Sequence, residues 1–392
     1  MYSSLAVAVI ISLATAALVN SAALNATHKH GSSAAGFPLN EKGQEMHLIE
    51  LSADKPASWL TWDQVRRLGR QDTPFMDITF RPRLAEAAPS VRSRHLQSAD
   101  EPAAERQTLR FYAEAEPIVD SLNTNFIQST LKQLTSFHDR FYTTENGVKS
   151  SEFVFELAKD IASRAKKGVS ISVTQFHHSF DQPSVIARIE GEPGQEETVI
   201  IGGHQDSVNW REEDGPAPGA DDNGSGTASI FEAYRGLVAS GFRPKRPIEF
   251  HWYAAEEVGL LGSQDVAATY QETGRKVAGM LQLDMTGTPN ATHPDIAITM
   301  DFTDPATSEL LRTAAERYNG GLPVNERRCG YACSDHASWT KAGFPASSAF
   351  ESSTSKNAYI HSSQDTLEKV SYQHMLRYSR IAVGFAVEQS LR

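Results

Sequence analysis

The sequence predicts an α/β protein: a mostly parallel, mixed sheet covered by helices on both faces, in a three-layer sandwich. Three observations carry this. Strand-like and helix-like segments alternate from about Leu109 to the C-terminus. Two of the strand-like segments, TVIIGG (198–203) and PIEFHWYAA (247–255), are apolar runs of the kind that form buried strands. The strongest such runs are followed directly by His, Asp or Glu, and in α/β sheets ligands collect at the carboxyl ends of the strands.

Taken in order, IVDSLNTNFIQSTLKQLTSF (118–137) has apolar residues at helical spacing and predicts one helix. SSEFVFELAKDIASRAKK (150–167) predicts a second, capped by Ser150 or Ser151, with lysines in its last turn. SISVTQF (170–176) and SVIARIEG (184–191) predict strands, followed by the buried strand 198–203. TASIFEAYRGLVASG (227–241) predicts a helix stopped by Gly241. The strand 247–255, a helix over 263–274, a strand over 279–285 and helices over 304–318 and 372–391 complete the pattern, with no internal repeat.

The N-terminal part is organised differently. Leu5 to Val19 form an apolar run of signal-peptide length followed by small residues, so a signal peptide is expected over 1–19, cleaved between Ala17 and Ala23. Residues 20–88 carry tryptophans and scattered charges without a long period. From Met1 through Ala88 there are eight basic and eight acidic residues, so the whole net charge of −11 falls on the remainder. The Ala-, Ser-, Pro- and charge-rich stretch that follows predicts a protease-accessible linker. We therefore expect a propeptide over 20–88 and a catalytic domain over 89–392.

The composition excludes some functions. No basic patch accompanies the acidic balance, so nucleic acid is not expected as a partner. No stretch after the leader is long and apolar enough for a membrane span. A secreted, extracellular monomer is expected. In that compartment Cys329 and Cys333 are expected to pair as a disulfide. Asn25 and Asn290 lie in glycosylation sequons. So does Asn223, in a motif too constrained for a glycan.

That motif is PGADDNGSG (218–226). Loops rich in Asp, Asn and Gly are commonly just solvated turns. Here, however, HQDSV (204–208), EEVG (256–259), DMTG (284–287) and YIHSSQDT (359–366) place His, Asp or Glu where the same site would be. Imidazoles and carboxylates suit zinc without cysteine. Two His with three carboxylates could hold two Zn²⁺, one carboxylate bridging, and a hydroxide would bring the cluster near neutrality.

The ordered motifs GGHQDS, PGADDNGSG, AAEEVGLLGS, LQLDMT, CGYACSDHASW and IHSSQDT resemble the co-catalytic zinc aminopeptidases, in particular secreted fungal and bacterial leucine aminopeptidases. The resemblance runs from about Leu109 onward and includes SFHDRFYTTENG (136–147). It implies a zinc-peptidase fold and two zinc ions held by His204, Asp222, Glu257, Asp284 and His361, with Asp222 bridging and followed by a cis peptide. Asn223 departs from the Asp or Pro often found there. Glu256 is expected to be the general base, because adjacent side chains of an extended segment diverge. Asp206, two residues from His204, is expected to orient its imidazole. The resemblance gives Tyr331 a role at the oxyanion. Met285, the Cys329–Cys333 loop, Phe350, Tyr359 and Ile360 would line an apolar pocket for a leucine-like or aromatic first residue.

The expected reaction is removal of the N-terminal residue from peptides with a free N-terminus. Three alternatives were open. A carboxypeptidase or deacylase would need a cationic pocket, and Arg327 and Arg328 lie near the motifs without being part of them. A glutaminyl cyclase would not need His204. A catalytically dead binding module would tolerate loss of Glu256 or a ligand.

Overall fold

The computed structural model describes residues 32–33, 36–52, 55–84, 106–354 and 357–392. The expected signal peptide, all but the last two residues of the linker, and Asn25 lie outside these residues. Eight strands form one mixed sheet: β4 (Ile171–Phe176), β5 (Ser184–Ile189), β6 (Glu197–His204), β7 (Ile248–Tyr253), β8 (Lys276–Leu283), β9 (Ile296–Thr299), β10 (Val324–Arg327) and β11 (Ala346–Phe350). Their order is β10-β9-β11-β8-β6-β7-β5-β4. The centre, β11-β8-β6-β7, is parallel. The β4–β5, β5–β7 and β9–β11 pairs are antiparallel.

Strand alternation divides the core into two. Val199, Ile201, Phe250, Trp252, Leu281 and Leu283 pack on one face, while Ile200, Tyr253 and Met280 pack on the other. The first face is covered by α2 (Tyr112–Ser121), α3 (Thr124–Leu134), α4 (Glu145–Ser163), α5 (Gly226–Ser240), α7 (Pro305–Tyr318) and α9 (Tyr372–Leu391). The second is covered by α6 (Leu261–Glu272) and α8 (His336–Lys341). This is the expected three-layer α/β arrangement.

Two helix expectations need correction. Residues 118–137 do not form one helix: Leu122 and Asn123 are extended, and the Asn123 side chain caps α3 by accepting from the Asn125 N–H. A distant partner stabilises the break, since the Asn123 N–H donates to Glu232 at 2.7 Å. Helix α4 starts earlier than expected. Thr144 caps it, accepting from the Gly147 N–H at 2.9 Å, while Ser150 and Ser151 are buried inside it. The helix ends at Ser163, before the lysines.

The N-terminal segment has a small sheet of its own, β2-β1-β3, from β1 (Met46–Glu50), β2 (Ser58–Thr61) and β3 (Met76–Asp77), with α1 (Trp62–Arg70). It packs against the carboxyl end of the large sheet. Phe37, Trp62, Phe75 and Phe80 join Trp210 and Val258 in one apolar cluster. Met76 joins Leu260, Ala332 and Ala337 in another. The Asp77 N–H donates to Gly259 O at 3.2 Å, and Lys341 pairs with Glu50. No helix among the described residues is long and apolar enough to cross a membrane.

Candidate metal centre

Three adjacent parallel strands deliver the site from their carboxyl ends. His204 is the last residue of β6, Glu256 and Glu257 follow β7, and Asp284 follows β8. The turn before α5 brings Asp222, and the loop before α9 brings His361. Two groups of ligand atoms result, each within 4.8 Å of one another: His204, Glu256 and Asp284; and Asp222, Glu257 and His361. Asp222 faces both. Its Oδ1 is 3.2 Å from His204 Nε2 and its Oδ2 is 3.1 Å from His361 Nε2. Asp284 Oδ1 lies 3.6 Å from His204 Nε2, and Glu257 Oε2 lies 3.2 Å from His361 Nε2. Glu256 Oε2 stands farther from His204 Nε2, at 3.9 Å.

The surroundings fix these side chains from behind. Asp206 is fully buried, 3.3 Å from His204 Nδ1, close enough for charge attraction though not aligned for a hydrogen bond. Its carboxylate also accepts the backbone N–H groups of Glu256 and Glu257, at 3.1 Å each. The Asp222–Asn223 peptide is cis. Asn223 is buried, its Nδ2 donating to Leu283 O and its Oδ1 accepting from the Gly226 and Met285 N–H groups. An aspartate there could not donate to Leu283, which accounts for the amide. Ala255, Met285 and His361 adopt positive φ of 55°, 51° and 54°, a concentration of strained backbone beside the cluster.

Several supporting residues escaped the sequence reading. Asp365 accepts the backbone N–H groups of Asp221 and Asp222. Arg140, wholly buried, donates to Gln205 O at 2.7 Å and Gly219 O at 2.9 Å, tying the end of β6 to the aspartate turn. Asp335, also buried, accepts from Gln282 Nε2 at 2.7 Å behind the His204 group. The quoted stretches SFHDRFYTTENG, CSDH and SSQDT contained all three, but their partners are remote in sequence.

The electrostatics fit a cation. Burial works against charge on His204, yet Glu256 and Asp284 outweigh it and hold its pKa well above the ordinary histidine value. Burial likewise opposes charge on His361, and Glu257 and Asp222 overcome it. Burial would raise Asp222, but both imidazoles pull it below the usual carboxylate range. Burial and the Asp222 charge push Glu257 to about 7. Burial also raises Glu256 well above its ordinary value, against the attraction of His204, with Asp284 and Asp335 adding to the rise. Carboxylates this crowded retain protons unless positive charge is brought among them. His204 Nε2 and Asp284 Oδ1 are buried without a hydrogen-bond partner among the described residues. This N/O donor set suits zinc.

Above the cluster lies a cavity of about 120 Å³, lined in part by Asp222, Glu256, Asp284 and His361. Of the expected pocket residues, Met285, Cys329, Tyr331, Cys333, Phe350 and Ile360 also line it. Tyr359 does not. It is 37% exposed, its ring lies under Lys369 Nζ at 4.0 Å, and its backbone N–H donates to Asn357 Oδ1. Cys329 and Cys333 are disulfide-bonded. Burial, with the Glu256 charge, pushes the Tyr331 phenol up to about 12, so it is a neutral O–H donor. Asn290 lies near the surface, its Nδ2 donating to Thr354 Oγ1 at 3.0 Å. Asn223 is buried, as a glycan-free sequon requires. Part of the wall comes from the N-terminal segment: Gly69, Asp72, Thr73, Pro74 and Phe75.

Residues 184–386 match the model of peptidase family M28. The chain belongs to that family. The leucine aminopeptidase 1 of Fusarium vanettenii is 38% identical over 365 residues, covering 88% of both chains. The LapA aminopeptidase of Legionella pneumophila superposes with a TM-score of 0.75 at 29% identity, over 87% of this chain and 93% of its own. A zinc aminopeptidase from Bacillus subtilis, 16% identical with a TM-score of 0.57, covers 69% of this chain and 96% of its own and shares the fold. This M28 chain is a metallo-aminopeptidase, a hydrolase acting on peptides.

Proposed function

We propose that this M28 aminopeptidase uses two zinc ions, one held by His204 and Asp284, the other by Glu257 and His361, with Asp222 shared. The observation that carries this is the Asp222 carboxylate, whose two oxygens face two different imidazoles at 3.2 and 3.1 Å. When bound, zinc supplies Lewis acidity toward the scissile carbonyl and lowers the pKa of water. Glu256, the carboxylate standing farther from His204, takes the proton of the attacking water and returns it to the leaving amine. Asp206 fixes the backbone of both glutamates, so base and ligand keep separate directions. Tyr331 donates its O–H toward the oxygen that gains charge. Met285, Phe350 and Ile360 favour leucine or another large apolar first residue, and the carboxylates around the cluster favour a substrate with a free amine.

The remaining parts of the proposal concern processing. Residues 1–19 are a signal peptide, the protein is secreted and monomeric, and Asn290 carries a glycan. Residues 20–88 are a propeptide that closes the cavity from above the catalytic domain, 89–392, until the linker is cut. Its Asp72 Oδ1 lies 3.9 Å from His361 Nδ1. The test uses the processed protein with Leu-amide and N-acetyl-Leu-amide, together with metal analysis before and after chelation. Two zinc per chain, cleavage of the free substrate alone and loss on chelation are expected. One zinc per fully active chain would refute the shared carboxylate, and equal cleavage of the blocked substrate would refute the need for a free amine.

A further inference from the structure

Arg327 is not a ligand, a base or an apolar pocket residue, yet it lines the cavity. Its position follows from strand register. Arg327 at the end of β10 pairs with Thr299 on β9, and Thr299 pairs with Ser348 on β11. Side chains paired across strands share a face, so these three form one polar row, and all three border the cavity. Phe350, two residues beyond Ser348, lies on the same face, and the Arg327 guanidinium stacks on its ring at 3.5 Å. The stack orients the planar fork.

One arm of the fork is left without a partner among the described residues. Arg327 Nη1 is buried and makes no hydrogen bond among the described residues. Tyr331, Asp284, Glu351 and Asp301 are near enough to attract it electrostatically, but Nη1 bonds to none of them. A buried donor on a cation is costly when unpaired. A leucine side chain in the cavity would leave that donor dehydrated and unsatisfied, whereas an oxygen acceptor would satisfy it.

We infer that Arg327 makes this pocket a receptor for peptides whose first side chain ends in a carboxylate or carboxamide, alongside the apolar residues its rim admits. The inference rests on the aminopeptidase reading and adds a substrate class to it. Glutamate and glutamine are the natural probes, and methionine is the control, an apolar side chain of similar length. The alternative, that Arg327 holds the substrate's terminal carboxylate, is removed by using aminoacyl amides, which have none.

The experiment measures kcat/KM of the processed, zinc-loaded enzyme for the amides of Glu, Gln, Met and Leu, in wild type and Arg327→Met. Wild type should cleave the Gln or Glu amide within tenfold of the Met amide. In Arg327→Met the Gln/Met and Glu/Met ratios should fall at least tenfold; Arg327→Lys, which keeps charge but not the fork, should restore Glu more than Gln. Cleavage of Leu and Met with Glu and Gln both more than a hundredfold poorer in wild type would overturn the inference and leave the aminopeptidase reading intact. An unchanged ratio in a folded Arg327→Met variant would also overturn it. Failure to cleave any of the four amides would instead strike the aminopeptidase reading itself. Should Arg327→Met fail to fold, the wild-type ratios and Thr299→Val, which removes a neighbouring hydroxyl at constant shape, decide the matter by the same comparison.

Discussion

Replacing Asp206 by Asn separates its two tasks. Its carboxylate accepts two buried backbone N–H groups at 3.1 Å, those of Glu256 and Glu257, and lies beside His204 Nδ1 at 3.3 Å. Asparagine keeps one acceptor oxygen and presents an NH₂ to the second N–H, so one buried donor is orphaned at a cost of about 1–3 kcal/mol. Neutralising one carboxylate also relieves repulsion within the crowded zinc-free cluster, so the net loss of stability falls at the low end of that range. The relief has the opposite consequence for metal. Loss of an anion behind a ligating imidazole typically weakens affinity by about 10–100-fold. Urea unfolding of the zinc-free protein and competition against a chromogenic chelator measure the two effects. A variant within about 0.5 kcal/mol of wild type that also binds zinc with unchanged affinity would refute this account of Asp206.

Three further outcomes are expected. Glu256→Gln should retain the wild-type zinc content by elemental analysis while turnover falls by about 10²–10⁴-fold; loss of a zinc would make Glu256 a ligand. Burial lowers the His374 pKa from 6.5 to about 4, so stability present above pH 6.5 is lost as the pH falls toward 4, by about 3 kcal/mol at most. His374→Gln, which can still donate to Glu351 O, should flatten that part of the wild-type fall in Tm between pH 6.5 and 4.5. Gly69→Ala in α1 would put a Cβ 2.4 Å from the Trp210 ring, so α1 or that ring must shift where both line the cavity. The uncut variant should therefore cleave Leu-amide faster than the uncut wild type, and equal rates would count against the propeptide as the block.

The sequence made the large sheet and the cluster legible for the same reason. Parallel strands buried on both faces are short apolar runs, so a polar residue directly after one stands out, and His204, Glu256, Glu257 and Asp284 all do. What it could not show depends on register and on remote partners. Thr299, Arg327 and Ser348 come from three strands that meet only in the folded sheet, and none of those strands was predicted. The helix predicted over 118–137 breaks where a carboxylate from α5 accepts the Asn123 N–H, which periodicity cannot register. Tyr359 is adjacent in sequence to Ile360 and His361, which border the cavity, yet it is 37% exposed and does not border it, a difference that spacing alone cannot register. The N-terminal segment read as a loosely patterned appendage because its apolar cluster is completed by Trp210, Val258 and Leu260, which are remote in sequence.

The charge packed into PGADDNGSG follows from the same logic of partners. Asp221 and Asp222 are neighbours that face opposite ways. Asp222 looks toward His204 and His361, whereas Asp221 looks inward, accepting from Gly287 N and Asn357 Nδ2 at 2.9 and 2.8 Å. Asp365 takes the backbone N–H of each. Gly219 must leave room for this turn: it has φ of 50°, and a Cβ there would lie 2.5 Å from Asp222 O. The turn thus aims one carboxylate at the cluster by anchoring its neighbour to the opposite side, and the glycines are there because no side chain fits between. A solvated acidic loop would need none of these anchors, and every member of this one from Ala220 to Ser225 is buried.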